Sequence, residues 1–143
     1  MIVPKKNDDY IKDLLKRGEG ENLEFKQVIE NPQKLAKTLA AFANTEGGIV
    51  IVGVNDKQRI IGVDVEEELF MVEKVCIQYL NPSPSLGFDV YEISVHEKEY
   101  DPDEVNILVV KVEKSKEHIY IRSADGSPIL YQRIGAANKA IRQ

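Results

Sequence analysis

One stretch constrains the fold more than any other: Ala41-Phe42-Ala43-Asn44-Thr45-Glu46-Gly47-Gly48-Ile49-Val50-Ile51-Val52-Gly53-Val54-Asn55-Asp56. Leu35, Leu39 and Phe42 recur with the helical period, and Ala36, Ala40 and Ala43 widen the apolar stripe. Asn31-Pro32 supplies the start, with Asn31 as N-cap and Pro32 at the first helical position, where a missing N–H costs nothing. The helix therefore runs from Pro32 to about Asn44. Gly47-Gly48 stops it, because glycine supplies the positive φ of a left-handed cap. Ile49 to Val54 is apolar at nearly every position, as a strand covered on both faces requires. Asn55-Asp56-Lys57-Gln58 closes that strand as a turn. A helix–corner–strand unit of this kind is buried only in a compact core, so the rest of the chain should pack around it.

The remaining elements follow in order. A short first helix is predicted from about Asp9 to Lys16, capped by Asn7 or Asp8, with Tyr10, Leu14 and Leu15 on one side. Asn22 to Gln27 alternates as a strand, placing Leu23 and Phe25 inward and Glu24 and Lys26 on the opposite face. Arg59 to Val63 reads as the return strand of a hairpin after the central turn. Leu69, Val72, Cys76 and Tyr79 mark a helix over Glu66 to Leu80, with Glu66, Glu67 and Glu68 in the first turn, where the helix dipole favours anions. Strands are predicted over Phe88–Val95 and Val105–Val112, separated by an acidic turn from Lys98 to Glu104. Two short strands, Ile119–Arg122 and Ile129–Arg133, flank the turn Ser123–Ser127. Gly135 to Ile141 looks like the opening of a helix that barely starts. The order α-β-α-β-β-α-β-β-β-β predicts an α/β or α+β sandwich, a mixed β-sheet with packed helices.

With 143 residues, 43% hydrophobic and 30% charged, the chain is expected to form a single globular domain over residues 1–143. No 18-residue apolar run is present and residues 1–9 lack a signal-peptide core, so the expectation is a cytoplasmic protein with no membrane partner. One cysteine and two histidines leave no structural zinc site of the usual type. The net charge of −5 argues against an indiscriminate nucleic-acid binder. Its distribution matters more than its sum. Residues 64–104 carry 12 of the 24 acidic side chains and only 2 of the 19 basic ones, which leaves the rest of the chain net positive. A basic face is thus compatible with an acidic total.

Several residues are candidates for chemistry. Lys26, Lys57, Arg59, Arg122 and Arg133 lead the candidates for phosphate contacts, followed by Lys34, Lys37, Lys139 and Arg142. Tyr120 and Tyr131 are of a type that stacks on unpaired bases, though strand aromatics more often simply pack. Glu19, Glu21 and Glu24 cluster around the first strand, and Asp56 lies past the far end of the central strand. Carboxylates gathered in space hold Mg²⁺ or Mn²⁺, and such an ion activates water for attack on a phosphodiester. Against that stands the plainer reading of exposed loop charges and a turn-forming Asp56. Asn44-Thr45-Glu46-Gly47-Gly48 is not a phosphate loop, because its glycines follow a helix and lead into a strand, with no adjacent Gly-Lys-Ser/Thr. His96 and His118 have no partner at a telling spacing, and no nucleophile elbow is present.

Taken together, Glu19-x-Glu21-x-x-Glu24-Phe25-Lys26, Ala41-Phe42-Ala43-Asn44-Thr45-x-Gly47-Gly48, Ile51-x-Gly53-Val54-Asn55-Asp56 and Ile61-Gly62-Val63 closely resemble the Schlafen-type divergent AlbA domain. Tyr131-x-Arg133-x-Gly135-x-x-Asn138 is similar to that family's closing motif, so the resemblance spans residues 19–138. It implies a Schlafen/AlbA-like sandwich that binds nucleic acid, in bacteria often the N-terminal part of a longer transcriptional regulator. In the Schlafen branch, two glutamates and an aspartate form a metal-dependent endoribonuclease site. By resemblance these fall on Glu19, Glu24 and Asp56, with Asn55 standing where that branch commonly has an acid.

Three functional readings result. The first is a DNA- or RNA-binding module that needs no cofactor and contacts phosphates through Lys26, Lys57, Arg59, Arg122 and Arg133. The alternative is a ribonuclease holding Mg²⁺ or Mn²⁺ on Glu19, Glu24 and Asp56. A third assigns the domain mainly to oligomerisation, a homodimer for example, with the basic residues merely solubilising.

Overall fold

The computed structural model describes residues 2–96 and 102–141. Among them, three helices pack with two four-stranded sheets. Helix α1 (Asp8–Arg17) starts on Asn7, whose side-chain oxygen accepts the Tyr10 N–H at 3.1 Å. Helix α2 (Pro32–Asn44) starts on Asn31, which accepts the Lys34 N–H at 3.1 Å. Helix α3 (Val65–Tyr79) starts on Asp64, which accepts the Glu67 N–H at 3.2 Å. Each cap satisfies one of the amides that a helix leaves unpaired at its beginning.

The first sheet contains β1 (Leu23–Lys26), β2 (Gly48–Val52), β4 (Leu86–His96) and β5 (Pro102–Val112), in the order β1-β2-β5-β4. Strands β1 and β2 run parallel, with α2 as their crossover, and the other pairings are antiparallel. The second sheet is antiparallel throughout: β3 (Leu80–Asn81), β6 (Tyr120–Arg122), β7 (Pro128–Ile134) and β8 (Ala137–Ile141), in the order β3-β6-β7-β8.

Alternation along β2 explains its unbroken apolar run. Val50 and Val52 face one core with α2, α3 and residues of β6, whereas Ile51 faces a second core with Ile11 and Leu14 of α1. Helix α2 thus lies between the sheets, and every residue from Leu35 to Ala43 except Lys37 is buried. The glycine corner is structural. The Gly47 N–H donates to the Phe42 carbonyl at 2.7 Å with φ at +77°, and a Cβ on Gly48 would stand 2.7 Å from the Phe42 ring. The N-terminal arm also joins the first sheet, since Lys5 forms an isolated parallel bridge to Tyr91.

Two local expectations are corrected. Residues 59–63 do not form a strand: Val54 and Ile60 make one isolated bridge, and the Ile61 and Gly62 amides both donate to the Gly53 carbonyl. Gly53 and Gly62 take φ values of +120° and +90°, which bends the backbone out of a ladder. The last described residues form strand β8 rather than a helix, because pairing with β7 overrides the local helical propensity of Ala136, Ala137 and Ala140. The predicted acidic turn over 98–104 lies largely outside the described residues, and its last three positions belong to β5.

Candidate nucleic-acid interface

The carboxyl ends of parallel β1 and β2 open beside the start of α2. In α/β sheets, the crevice outside the carboxyl ends of the strands is where ligands bind. Here a polar concavity of about 490 Å³ is lined by Phe25 and Lys26 of β1, the 27–31 connection, Lys34 of α2 and Asp56 of the turn after β2. A second concavity of about 420 Å³ adjoins it, sharing Asn31 and Lys34 and adding Gln33, Lys37, Glu24 and Asn138. The connection between β1 and α2 is held from below by Glu68 of α3, whose carboxylate accepts the Ile29 N–H at 3.0 Å. Burial pushes the Glu68 carboxyl above its ordinary range, the Ile29 N–H opposes this, and Glu67 and Asp64 add to the rise.

Among the predicted phosphate contacts, Lys26 lies in the first concavity, but its ammonium already pairs with Glu24 at 3.1 Å and its side chain is only 13% exposed. Lys57 and Arg59 are exposed on the turn that carries Asp56. Their amides both donate to the Asn55 side-chain oxygen, at 3.0 and 2.9 Å. Asn55 therefore builds that turn and leaves Asp56 to line the groove. Arg122 is exposed where β6 meets Pro128, at the other end of β7 from Arg133, and lines neither concavity. Lys139 is exposed on β8, and Arg142 lies outside the described residues. Lys34 and Lys37 thus emerge as the principal cations of the groove, the latter 5.6 Å above the Tyr131 ring.

Arg133 requires a correction. Its side chain is fully buried and its guanidinium is committed inside the protein. One terminal nitrogen donates to Glu24 and to the Asn138 side-chain oxygen, both at 2.9 Å. The Nε donates to the Gly20 carbonyl at 3.0 Å, and the plane lies 4.8 Å from the Phe42 ring centroid. Thr38 completes the cluster by donating to Glu24 and accepting from Asn138, each at 2.9 Å. Burial raises the Glu24 carboxyl, but the charge of Lys26 and the hydrogen bonds from Arg133 and Lys26 outweigh it and hold the group below its ordinary range. Arg133 is a buried counter-ion, not a phosphate contact.

That commitment bears on the carboxylate trio. One Glu24 oxygen meets Arg133, and the other meets Thr38 and Lys26. Glu19 accepts the Phe25 N–H at 3.1 Å, and Asp56 lines the first concavity, which neither Glu19 nor Glu24 lines. Among the described residues, no three Asp, Glu, His or Cys side chains gather as a metal-holding group, so the trio does not fit an ion in this arrangement. The reading that places Mg²⁺ or Mn²⁺ on Glu19, Glu24 and Asp56 has no converged donor set here.

The sequence block around Asn44 has a mechanical use as well. Asn44 donates to the Ile119 and Tyr131 carbonyls at 2.9 and 3.0 Å and accepts the Ile119 N–H at 2.8 Å. Thr45 accepts the Arg133 N–H at 2.9 Å. These two residues fasten the second sheet to α2. What sequence reasoning missed was the place of Gln27, Glu30 and Gln33 in the groove lining, whose only signal was their position beside the capped start of α2.

An α2 crossover between parallel strands, a second antiparallel sheet fastened to it and a polar groove at the strand ends define a mixed α/β domain. The profile described as Schlafen, AlbA_2 matches residues 19–142, and the chain belongs to that family. The chain is similar to an "Uncharacterized ATP-binding protein UU034" from Ureaplasma parvum serovar 3, with 30% identity over 132 residues, covering 89% of this chain and 36% of that protein. It also resembles the crystal structure of the DIP2311 protein from Corynebacterium diphtheriae. That match has a TM-score of 0.52 and 24% identity, and covers 85% of this chain and 22% of the other. The chain therefore spans about a third of the one relative's length and about a fifth of the other's. No helix among the described residues is long and apolar enough to cross a membrane.

Proposed function

We propose that this domain binds nucleic acid, DNA in the setting of a transcriptional regulator, along the groove at the start of α2. The observation that carries the reading is the pair of adjoining polar concavities, Lys34 lining both and Lys37 the second, with Lys57 and Arg59 exposed on the neighbouring turn. Lysines in such a row position a phosphate backbone and attract it electrostatically. Family membership supports the same reading. The relative's name carries an ATP-binding reading, but Gly47 and Gly48 give it no support, since they close against Val112 and Phe42 and the sequence contains no Gly-Lys-Ser/Thr phosphate loop.

Fluorescence anisotropy with labelled DNA and RNA across a range of salt concentrations tests the proposal. Binding should weaken linearly on a log–log salt plot, and a Lys34→Glu/Lys37→Glu variant should lower the slope by about one for each phosphate no longer neutralised. Binding that is absent, or indifferent to salt, would refute it.

A further inference from the structure

The lining of the groove says which form of nucleic acid it suits. A duplex presents a convex wall of phosphates, and proteins read it by pushing a helix, ribbon or arm into its grooves. Here the arrangement is inverted: the cations line a concavity, and carboxylates are interleaved with them. Lys26 and Lys34 share the first concavity with Glu30 and Asp56. The phosphate wall of a duplex offers those carboxylates nothing but other anions, and its amino groups lie at the floor of grooves that a concave surface does not enter. A splayed single strand offers both partners at once, phosphates for the lysines and base edges for the acids and amides.

We propose that the two concavities take a single-stranded segment, with phosphates on Lys34 and Lys37 and the amino group of an unpaired base turned toward Asp56 and Glu30. This rests on the nucleic-acid reading above and names the form bound. The two concavities, about 490 and 420 Å³, share Asn31 and Lys34, so one strand passes from one to the other without leaving the protein surface. Each is of the size that encloses a small organic group rather than a duplex face. Glu24 lines the second concavity but its charge is met by Arg133 and Lys26, so it does not repel the strand there. Gln33 offers an amide to a base edge in that second concavity. Asp56 gives the groove a preference: a carboxylate accepts from the cytosine amino group at the edge of the ring, whereas the one donor of thymine, its N3–H, stands between two carbonyls that a carboxylate repels.

The test is an anisotropy series on the purified chain with 12-nucleotide oligo-dC and oligo-dT and a mixed-sequence duplex of equal length. Single strands should bind at least about tenfold more tightly than the duplex, because only they reach the concavity. Oligo-dC should be preferred to oligo-dT by about fivefold or more, and Asp56→Asn should erase that preference while retaining single-strand binding. The thermal melt of each variant serves as the folding control. Equal or tighter duplex binding overturns this inference while leaving the nucleic-acid reading intact. Equal affinity for oligo-dC and oligo-dT in the unaltered protein overturns the role of Asp56. Failure to bind any of the three overturns both proposals together.

Discussion

Glu24 and Glu68 are both buried, and their surroundings push them in opposite directions. Glu24 has cations on both oxygens, so its folded pKa lies below the ordinary value of 4.5. Its stabilisation is present in full above that value and is lost as pH falls through the folded pKa. Glu68 is the reverse: burial leads the rise in its pKa, so the folded state keeps a proton that the unfolded chain has released. Its favourable contribution is therefore present at low pH and lost as pH rises past 4.5 through the folded value. Two substitutions separate the effects in thermal melts. Glu24→Gln should flatten the acid limb of the stability curve and lower stability at neutral pH. Glu68→Gln, which keeps an acceptor for the Ile29 amide, should raise the melting temperature at pH 7 relative to its effect at pH 4. The sequence made the alternation of Leu23, Glu24, Phe25 and Lys26 legible, but not that the polar side of β1 faces α2 and a second sheet. The same limit applies to Arg133. An arginine in a short strand reads as surface, and only the fold shows that it shares a buried cluster with a glutamate 109 positions earlier.

Helix α2 was the most legible element, since Asn31, Pro32 and the leucine–alanine stripe act through local geometry and fix both ends. Strand β8 was illegible for the opposite reason. Its identity comes from a ladder with β7 and from the bond between Asn138 and Thr38, both of which depend on distant segments. The groove fell between these cases: Lys34 and Lys37 were visible as cations, but their joining with Asp56 and the 27–31 connection required the crossover to be built. Asn44 gives the element scale its own test. It serves the Tyr131 carbonyl of β7 and both the carbonyl and the amide of Ile119 just before β6, so Asn44→Ala leaves those groups without their partner, at a cost of about 1–3 kcal/mol. Hydrogen exchange should show the loss first at the Ile119 amide, with the amides of β2 nearly unchanged.

At the scale of the whole molecule, one polar cluster joins three layers. Glu24 belongs to the first sheet, Thr38 to α2, and Arg133 and Asn138 to the second sheet. Such a shared cluster couples the unfolding of layers that would otherwise open separately. Arg133→Met removes the more deeply buried of the two counter-ions of Glu24 and should cost about 3–5 kcal/mol, the usual consequence of breaking a buried pair from one side. The informative measurement is native-state exchange. In the unaltered chain, the amides of β2 and β7 should converge on one opening free energy as denaturant rises. In Arg133→Met, β7 should open well before β2. Convergence in both proteins would show that apolar packing alone couples the sheets.

The bridge between Lys5 and Tyr91 has a consequence for how copies of this chain meet. Strand β4 is the last strand of its sheet, and the arm occupies part of its outer side: the Lys5 N–H donates to the Val90 carbonyl at 2.8 Å, and the Glu92 N–H donates to the Lys5 carbonyl at 2.9 Å. Lys5 and Lys6 also pair with Asp89 and Glu92, at 3.1 and 3.7 Å, and so tie the arm along the strand. An uncovered edge of this kind is a template for another chain's backbone. Deleting residues 2–6 should leave the helices intact by circular dichroism and yet make the protein associate as its concentration rises in sedimentation velocity. On this view the arm is a stopper, and its lysines are what keep it seated.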